Sequence, residues 1–211
     1  MKKITTRVAL EVAHHEAVIR QAYKDSVGKW TWSVGLTNAS GHNVERYIDS
    51  PQPLSKCLEV FVWALERYAE DVREVFSGYD LTEEQFAAAL SFHWNTGAIK
   101  RASWVKHWKS GDYRTARKRF MDWKRPPEIE ERRKAERDLF FVGVWHNQGT
   151  MPEYTRVHSN HTPDWSSRVE RDVSATLRNL LEPSAVTPAK QPSGILGAIL
   201  AALRAIFGGK S

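Results

Sequence analysis

The sequence predicts an α+β fold, mostly helical, with a small N-terminal β-hairpin or sheet. Three observations carry this reading. Apolar residues recur at three- and four-residue spacing through most of the first 143 positions. One stretch, residues 24–47, breaks that rhythm: Asp25, Gly28, Gly35, Asn38, Gly41 and Asn43 surround short β-prone runs such as Trp30-Thr31-Trp32. Turn signals at Ser77-Gly78 and Asn95-Thr96-Gly97 then cut the remaining pattern into separate helices.

Taken in order, the spacing of Val8, Val12, Ala13 and Ile19, with no Gly or Pro between, predicts a helix from Thr5 to about Tyr23. The irregular hairpin follows and is closed by Pro51 and Pro53. Leu54, Cys57, Leu58, Phe61, Val62, Leu65, Tyr68, Ala69 and Val72 form one apolar helical face over 54–76. Thr82 with Gln85 has the form of a capping box, opening a helix through Phe92. Further helices are predicted over 102–110, 113–123 and 128–141, the last with Pro126-Pro127 at its start, where proline is tolerated. Residues 145–163 have little periodicity, and 166–181 reads as a short amphipathic helix. Pro183, Pro188 and Pro192 mark 182–194 as a linker. The chain therefore divides into a domain over 1–145, an extension over 146–181, the linker, and an apolar, weakly cationic tail over 195–211.

The composition, 41% hydrophobic and 27% charged, is that of a globular protein and excludes a low-complexity chain. Most of the nine tryptophans are expected in the core. The formal net charge is +6, and Lys100–Asp138 carries an excess of seven positive charges by itself. A basic face suits a polyanionic partner or is simply a solvated helical surface; charge does not choose. The single cysteine, Cys57, allows no intrachain disulfide and lies on an apolar stripe, so burial is expected. Thr5, Thr6, Arg7 and Glu11 interrupt any apolar run after Lys3, so no signal peptide is read, and synthesis in the cytoplasm is expected.

Glu16, Asp25 and Thr31 are the candidate catalytic residues. Glycosidic bond hydrolysis needs an acid for the leaving oxygen and a second group to supply or hold the nucleophile. The acid works best where apolar surroundings raise its pKa. Glu16 has Ala13, Ala17, Ile19 and Ala22 close in sequence. Asp25 follows where a polar loop keeps a carboxylate ionised, and Thr31 stands on the first β-like run. On these grounds alone Glu16 reads equally as a surface charge and Asp25 as a turn residue with Gly28. Glu11 is a second acid on the same helix.

The segment from Glu16 through Ala22-Tyr23, Asp25 and Gly28 to Thr31 resembles the signature of glycoside hydrolase family 24, the phage lysozymes: Glu, eight residues, Asp or Cys, five residues, Thr. Glu11 does not match that spacing. Ala88 to Ala98, ending in Asn95-Thr96-Gly97, is similar to the family's helix with its Asn-x-Gly turn. Trp123 followed by Arg132-Arg133 and Glu136 is similar to its late Arg-Arg-x-x-Glu helix. The resemblance covers roughly residues 5–143. Where the family usually reads Ile-Gly-x-Gly-His-Thr, this chain has Trp32-Ser33-Val34-Gly35-Leu36-Thr37, so Leu36 replaces the histidine and Ser33 a glycine. His14 and His15 read as ordinary helix residues, although a protonated neighbour would lower the pKa of Glu16.

The resemblance implies a lysozyme-like fold with the hairpin flanking the active-site cleft, and an N-acetylmuramidase acting on bacterial peptidoglycan. It assigns Glu16 as general acid, with Asp25 and Thr31 holding the attacking water. The alternatives are a lytic transglycosylase and a non-catalytic, membrane-disrupting wall binder. No cofactor, metal or nucleic-acid partner is expected, and a monomer is. The tail segment Ile195–Phe207 would make a helix of roughly 20 Å, short of the ~30 Å needed to span a bilayer. Lying in a membrane interface and docking on the protein are the two readings of it.

Overall fold

Helix α1, Thr6–His14, opens where the Thr5 hydroxyl accepts a hydrogen bond from the Val8 amide, and it closes early. The amides of His15 and Glu16 turn back to the carbonyls of Val12 and Ala13, and by Ile19 the chain is extended. Strand β1, Ile19–Lys24, therefore occupies the second half of the helix predicted to Tyr23. Nothing local forbids helix there. The strand exists because β1 pairs with β2, Trp30–Ser33, in antiparallel register, Tyr23 opposite Thr31 and Lys24 opposite Trp30. Non-local pairing outweighs local helical preference. Strand β3, Leu36–Thr37, completes a three-stranded sheet in the order β1-β2-β3.

The computed structural model describes residues 2–182. The linker and tail readings for 183–211 lie outside the described residues. The helices that follow the sheet match their sequence patterns: α2 Leu54–Val75, α3 Glu83–Thr96, α4 Ser103–Lys109, α5 Tyr113–Phe120 and α6 Glu130–Val142. The capping box at Thr82 and Gln85 is present with both bonds. The unbroken run from Phe86 to His93 is buried on all sides because α3 lies between α1, α2 and α6. At its far end Phe92, Trp104, Phe120 and Phe140 pack ring against ring, with Trp104 centred 4.7 Å from Phe120 and 4.9 Å from Phe140. Trp32 and Trp104 are fully buried, while Trp63 and Trp165 are exposed. Cys57 is buried on α2, and burial pushes its thiol up to about 11.

Beyond Gly143, whose left-handed backbone ends α6, the chain does not remain irregular. Strands β4, Thr150–Tyr154, and β5, Arg168–Asp172, form a hairpin, and helix α7, Ser174–Leu181, packs on α1 and α2. The expected 166–181 helix is thus half strand. The alternation in Thr150–Tyr154, with Met151 and Glu153 inward, is too short to stand out from its surroundings. This hairpin meets the first sheet: the Val18 amide donates to the Pro152 carbonyl at 2.9 Å, and the Tyr154 amide donates to the Val18 carbonyl at 3.1 Å.

Candidate active site

Glu16 stands just past the end of α1. Its carboxylate is held from one side by α6, where Arg132 Nη1 donates to Oε1 at 2.6 Å. The other side faces the turn between β2 and β3: a Cβ on Gly35 would lie 3.8 Å from Glu16 Oε2. Gly35 has φ +77°, a conformation that L side chains resist, so a glycine both makes the turn and leaves room beside the acid. The Glu16 side chain keeps 18% of its surface exposed, a narrow opening rather than a surface position. Burial raises its carboxyl above the usual range; the charge and hydrogen bond of Arg132 pull it down, and the charge of Glu136 pushes it up again.

Arg132 is the functional residue that the sequence analysis did not assign. Besides Glu16 it donates through Nε to Glu136 at 2.8 Å and through Nη2 to the Ser91 carbonyl at 3.2 Å. Glu136 also accepts from the Ser91 hydroxyl at 2.6 Å and from Arg133. Arg133 in turn donates to Asn95 Oδ1 at 2.5 Å and to the Trp123 carbonyl at 3.1 Å. The late Arg132-Arg133 and Glu136 block and the Asn95 turn are therefore one buried network, and it ends on Glu16. Its arginines and Glu136 are paired and hydrogen-bonded, the condition under which buried charge is tolerated. The late Arg-Arg-x-x-Glu block was the available signal.

Asp25 occupies the turn between β1 and β2. Its Oδ1 accepts from the amides of Val27 at 3.0 Å and Lys29 at 2.8 Å, and its own amide donates to the Lys29 carbonyl at 3.0 Å. The Thr31 hydroxyl donates to that same carbonyl at 3.2 Å. One peptide group, Lys29, thus ties Asp25 to Thr31, which is 4% exposed on β2. Oδ2 of Asp25 holds no hydrogen bond among the described residues. Tyr23 lies within the field of both carboxylates: burial, then Glu16, then Asp25 raise its phenol.

The two departures from the family pattern resolve differently. Ser33 keeps the left-handed backbone that a glycine would take, with φ 56°, and its hydroxyl donates to the Cys57 carbonyl at 2.9 Å, tying the sheet to α2. Leu36 is buried and apolar. His15 caps α1; burial, followed by the charge of Arg132, lowers its pKa to about 3. It is neutral at ordinary pH and brings no positive charge to Glu16. Arg132 supplies that charge. Glu11 is fully buried, and its Oε2 accepts from the amides of His146 and Asn147 and from Asn147 Nδ2. It anchors the segment after α6. No cluster of three or more His, Cys, Asp or Glu side chains placed to hold a metal occurs among the described residues.

A mainly helical fold with a small sheet thus carries a shielded carboxylic acid at the end of its first helix and an Asp–Thr pair on the hairpin that follows. The phage lysozyme family matches residues 13–136, and the chain belongs to it. It is a peptidoglycan-cleaving enzyme. No curated protein matches by sequence. Among solved structures the fold is similar to that of the endolysin from Escherichia coli O157:H7 phage FAHEc1, at 17% identity and TM-score 0.59, covering 70% of this chain and 98% of that one. A mutant of P22 lysozyme is 24% identical with TM-score 0.56, covering 67% of this chain and 100% of its own. The muramidase domain of SpmX from Asticaccaulis excentricus is 20% identical with TM-score 0.56, covering 67% and 99%. Among the described residues no helix is long and apolar enough to cross a membrane.

Proposed function

We propose that the protein is an N-acetylmuramidase that hydrolyses the β-1,4 bond between N-acetylmuramic acid and N-acetylglucosamine, with lysis of the bacterial cell as the outcome. Glu16, whose carboxyl burial raises above its ordinary range, donates its proton to the leaving glycosidic oxygen as an oxocarbenium-like transition state develops. Asp25 and Thr31 hold a water against the opposite face of the sugar. Asp25 has an oxygen free to accept the water's proton, and the Thr31 hydroxyl oxygen keeps a lone pair for the water to donate to. Attack from that face inverts the anomeric centre.

The observation that carries the reading is the Lys29 carbonyl, which accepts from both the Asp25 amide and the Thr31 hydroxyl on the hairpin. A lytic transglycosylase uses the sugar's own hydroxyl and needs no such pair. The expected site of action is the periplasm, reached after release through the inner membrane. Contact of residues 195–207 with lipid is part of the same proposal.

Glu16→Gln tests it. The amide keeps the shape but has no proton to give, so a folded variant is expected to lose cleavage of purified peptidoglycan. Mass spectrometry of wild-type digests is expected to show reducing ends. Anhydro ends would identify a transglycosylase, and a fully active Glu16→Gln protein would remove Glu16 as the acid.

A further inference from the structure

The family match ends at residue 136, yet the chain after α6 touches the site at the segment that separates its two carboxylates. That segment is β1, with Glu16 three residues before it and Asp25 one residue after it. Just before it, Val18 is paired with Pro152 and Tyr154 of the extension through both its amide and its carbonyl. At its end, the Lys24 amide donates to the His161 carbonyl at 2.7 Å. Between these points Arg20 pairs with Glu153, which is 2% exposed and also receives Arg171. On the β2 side the register of β1 is irregular between Ile19 and Tyr23, and these contacts hold the strand from its other side.

The grip at Lys24 is built for that purpose. His161 has φ +65°, a left-handed backbone at a non-glycine residue, and this conformation turns its carbonyl toward β1. A tight turn supports it: the His158 amide donates to the Thr162 carbonyl at 2.9 Å, the His161 amide donates to the His158 carbonyl at 2.8 Å, and Asn160 Oδ1 accepts from the Thr162 amide and hydroxyl. The His161 ring stands edge-on to Trp30, 5.1 Å between centres, across the strand pair from Lys24. Its Nε2 lies 3.3 Å from Asp49 Oδ1.

We propose that residues 144–182 are a positioning element of the active site, clamping β1 at Val18 and at Lys24 so that the Asp25 hairpin is held in working register with Glu16, with His161 as the positioning residue. The clamp touches neither substrate nor the reacting atoms. It acts through Asp25, and so rests on the catalytic reading of that residue. Small displacements of a catalytic group are costly, about 100-fold for 1 Å. Loosening a single hydrogen bond next to Asp25 is therefore expected to appear in kcat.

The test uses the full chain with soluble peptidoglycan fragments. His161→Val places a β-branched residue where φ must be positive, while His161→Gly and His161→Asn tolerate that backbone. His161→Val is expected to lower kcat about tenfold with KM within about twofold, and the Gly and Asn variants are expected to stay near wild type. Asn160→Ala, at an exposed turn, is expected to change kcat in the same sense but less, and covers a His161→Val protein that does not fold. In an Asp25→Asn background, His161→Val is expected to cause no further loss, because the pair acts as a unit. An unchanged kcat in folded His161→Val and Asn160→Ala, or a full additional loss in the Asp25→Asn background, overturns the clamp while leaving Asp25 in its role. A fully active Asp25→Asn protein overturns both.

Discussion

Replacing Glu11 separates the acid within α1 from the acid just past its end and puts a number on the anchor of the extension. Glu11 has no exposed surface, and its Oε2 accepts three hydrogen bonds, from the His146 amide at 3.3 Å, the Asn147 amide at 3.1 Å and Asn147 Nδ2 at 2.8 Å. Bonds to a charged group are worth about 1.5–3 kcal/mol each, and an orphaned buried donor costs about 1–3 kcal/mol. The three do not add fully, because His146 is partly exposed and water can reach the vacated space, and because alanine also removes the cost of burying the carboxylate. Glu11→Ala is therefore expected to destabilise by about 3–4 kcal/mol. At about 2–4 °C per kcal/mol for a chain of this size, the midpoint should fall by roughly 6–16 °C.

Glu11→Gln is expected to behave differently. Its carbonyl replaces Oε2, and its amide faces His15 Nε2 and His146 Nδ1, two buried nitrogens without partners that lie 3.9 Å from Oε1. The neutral His15 ring can accept there. The cost should stay within about 1 kcal/mol. Well below its melting point, each variant should cleave purified peptidoglycan at the wild-type rate per folded molecule. Urea titrations and turbidity loss measure the two quantities. A folded Glu11→Gln protein without activity would refute the assignment of the acid to Glu16, and an unchanged midpoint in Glu11→Ala would refute the anchor.

Three further outcomes are expected. Arg132→Met removes a positive charge that favours ionised Glu16, so the carboxyl holds its proton to higher pH; the alkaline limb of the pH–rate profile should move upward, and a downward shift would contradict the assigned polarity. Ser33→Gly and Ser33→Val both lose the bond to the Cys57 carbonyl, so Ser33→Val should be less stable than Ser33→Gly by about 1–2 kcal/mol of left-handed backbone strain, and equal melting of the two would remove the strain argument. Deleting residues 194–211 should spare hydrolysis of purified peptidoglycan and reduce killing of intact Gram-negative cells from outside; loss on both substrates would show that the segment is structural.

The parts legible in sequence were those written in local periodicity and turn chemistry. The apolar stripe of Leu54–Val75, the Thr82–Gln85 box and the glycines of the first sheet each act within a few residues, so a linear reading finds them. Glu16, Asp25 and Thr31 were singled out by the likeness of their spacing to the family signature, because residue chemistry alone left Glu16 open to a surface-charge reading. That most tryptophans belong to the core was legible, though not which ones or what they pack against.

What tertiary structure decided were the contacts between distant segments. Ile19–Lys24 has the pattern of a helix and becomes a strand because β2 pairs along one edge while the extension bonds Val18 just before it and Lys24 at its end. Glu11 and Glu16 lie five residues apart on similar ground, yet one is sealed beneath His146 and Asn147 while the other meets Arg132, 116 residues away. Their difference in character is set by the medium around each carboxylate and by the charge beside it. Desolvation and Coulomb energy depend on position in space, which periodicity does not encode.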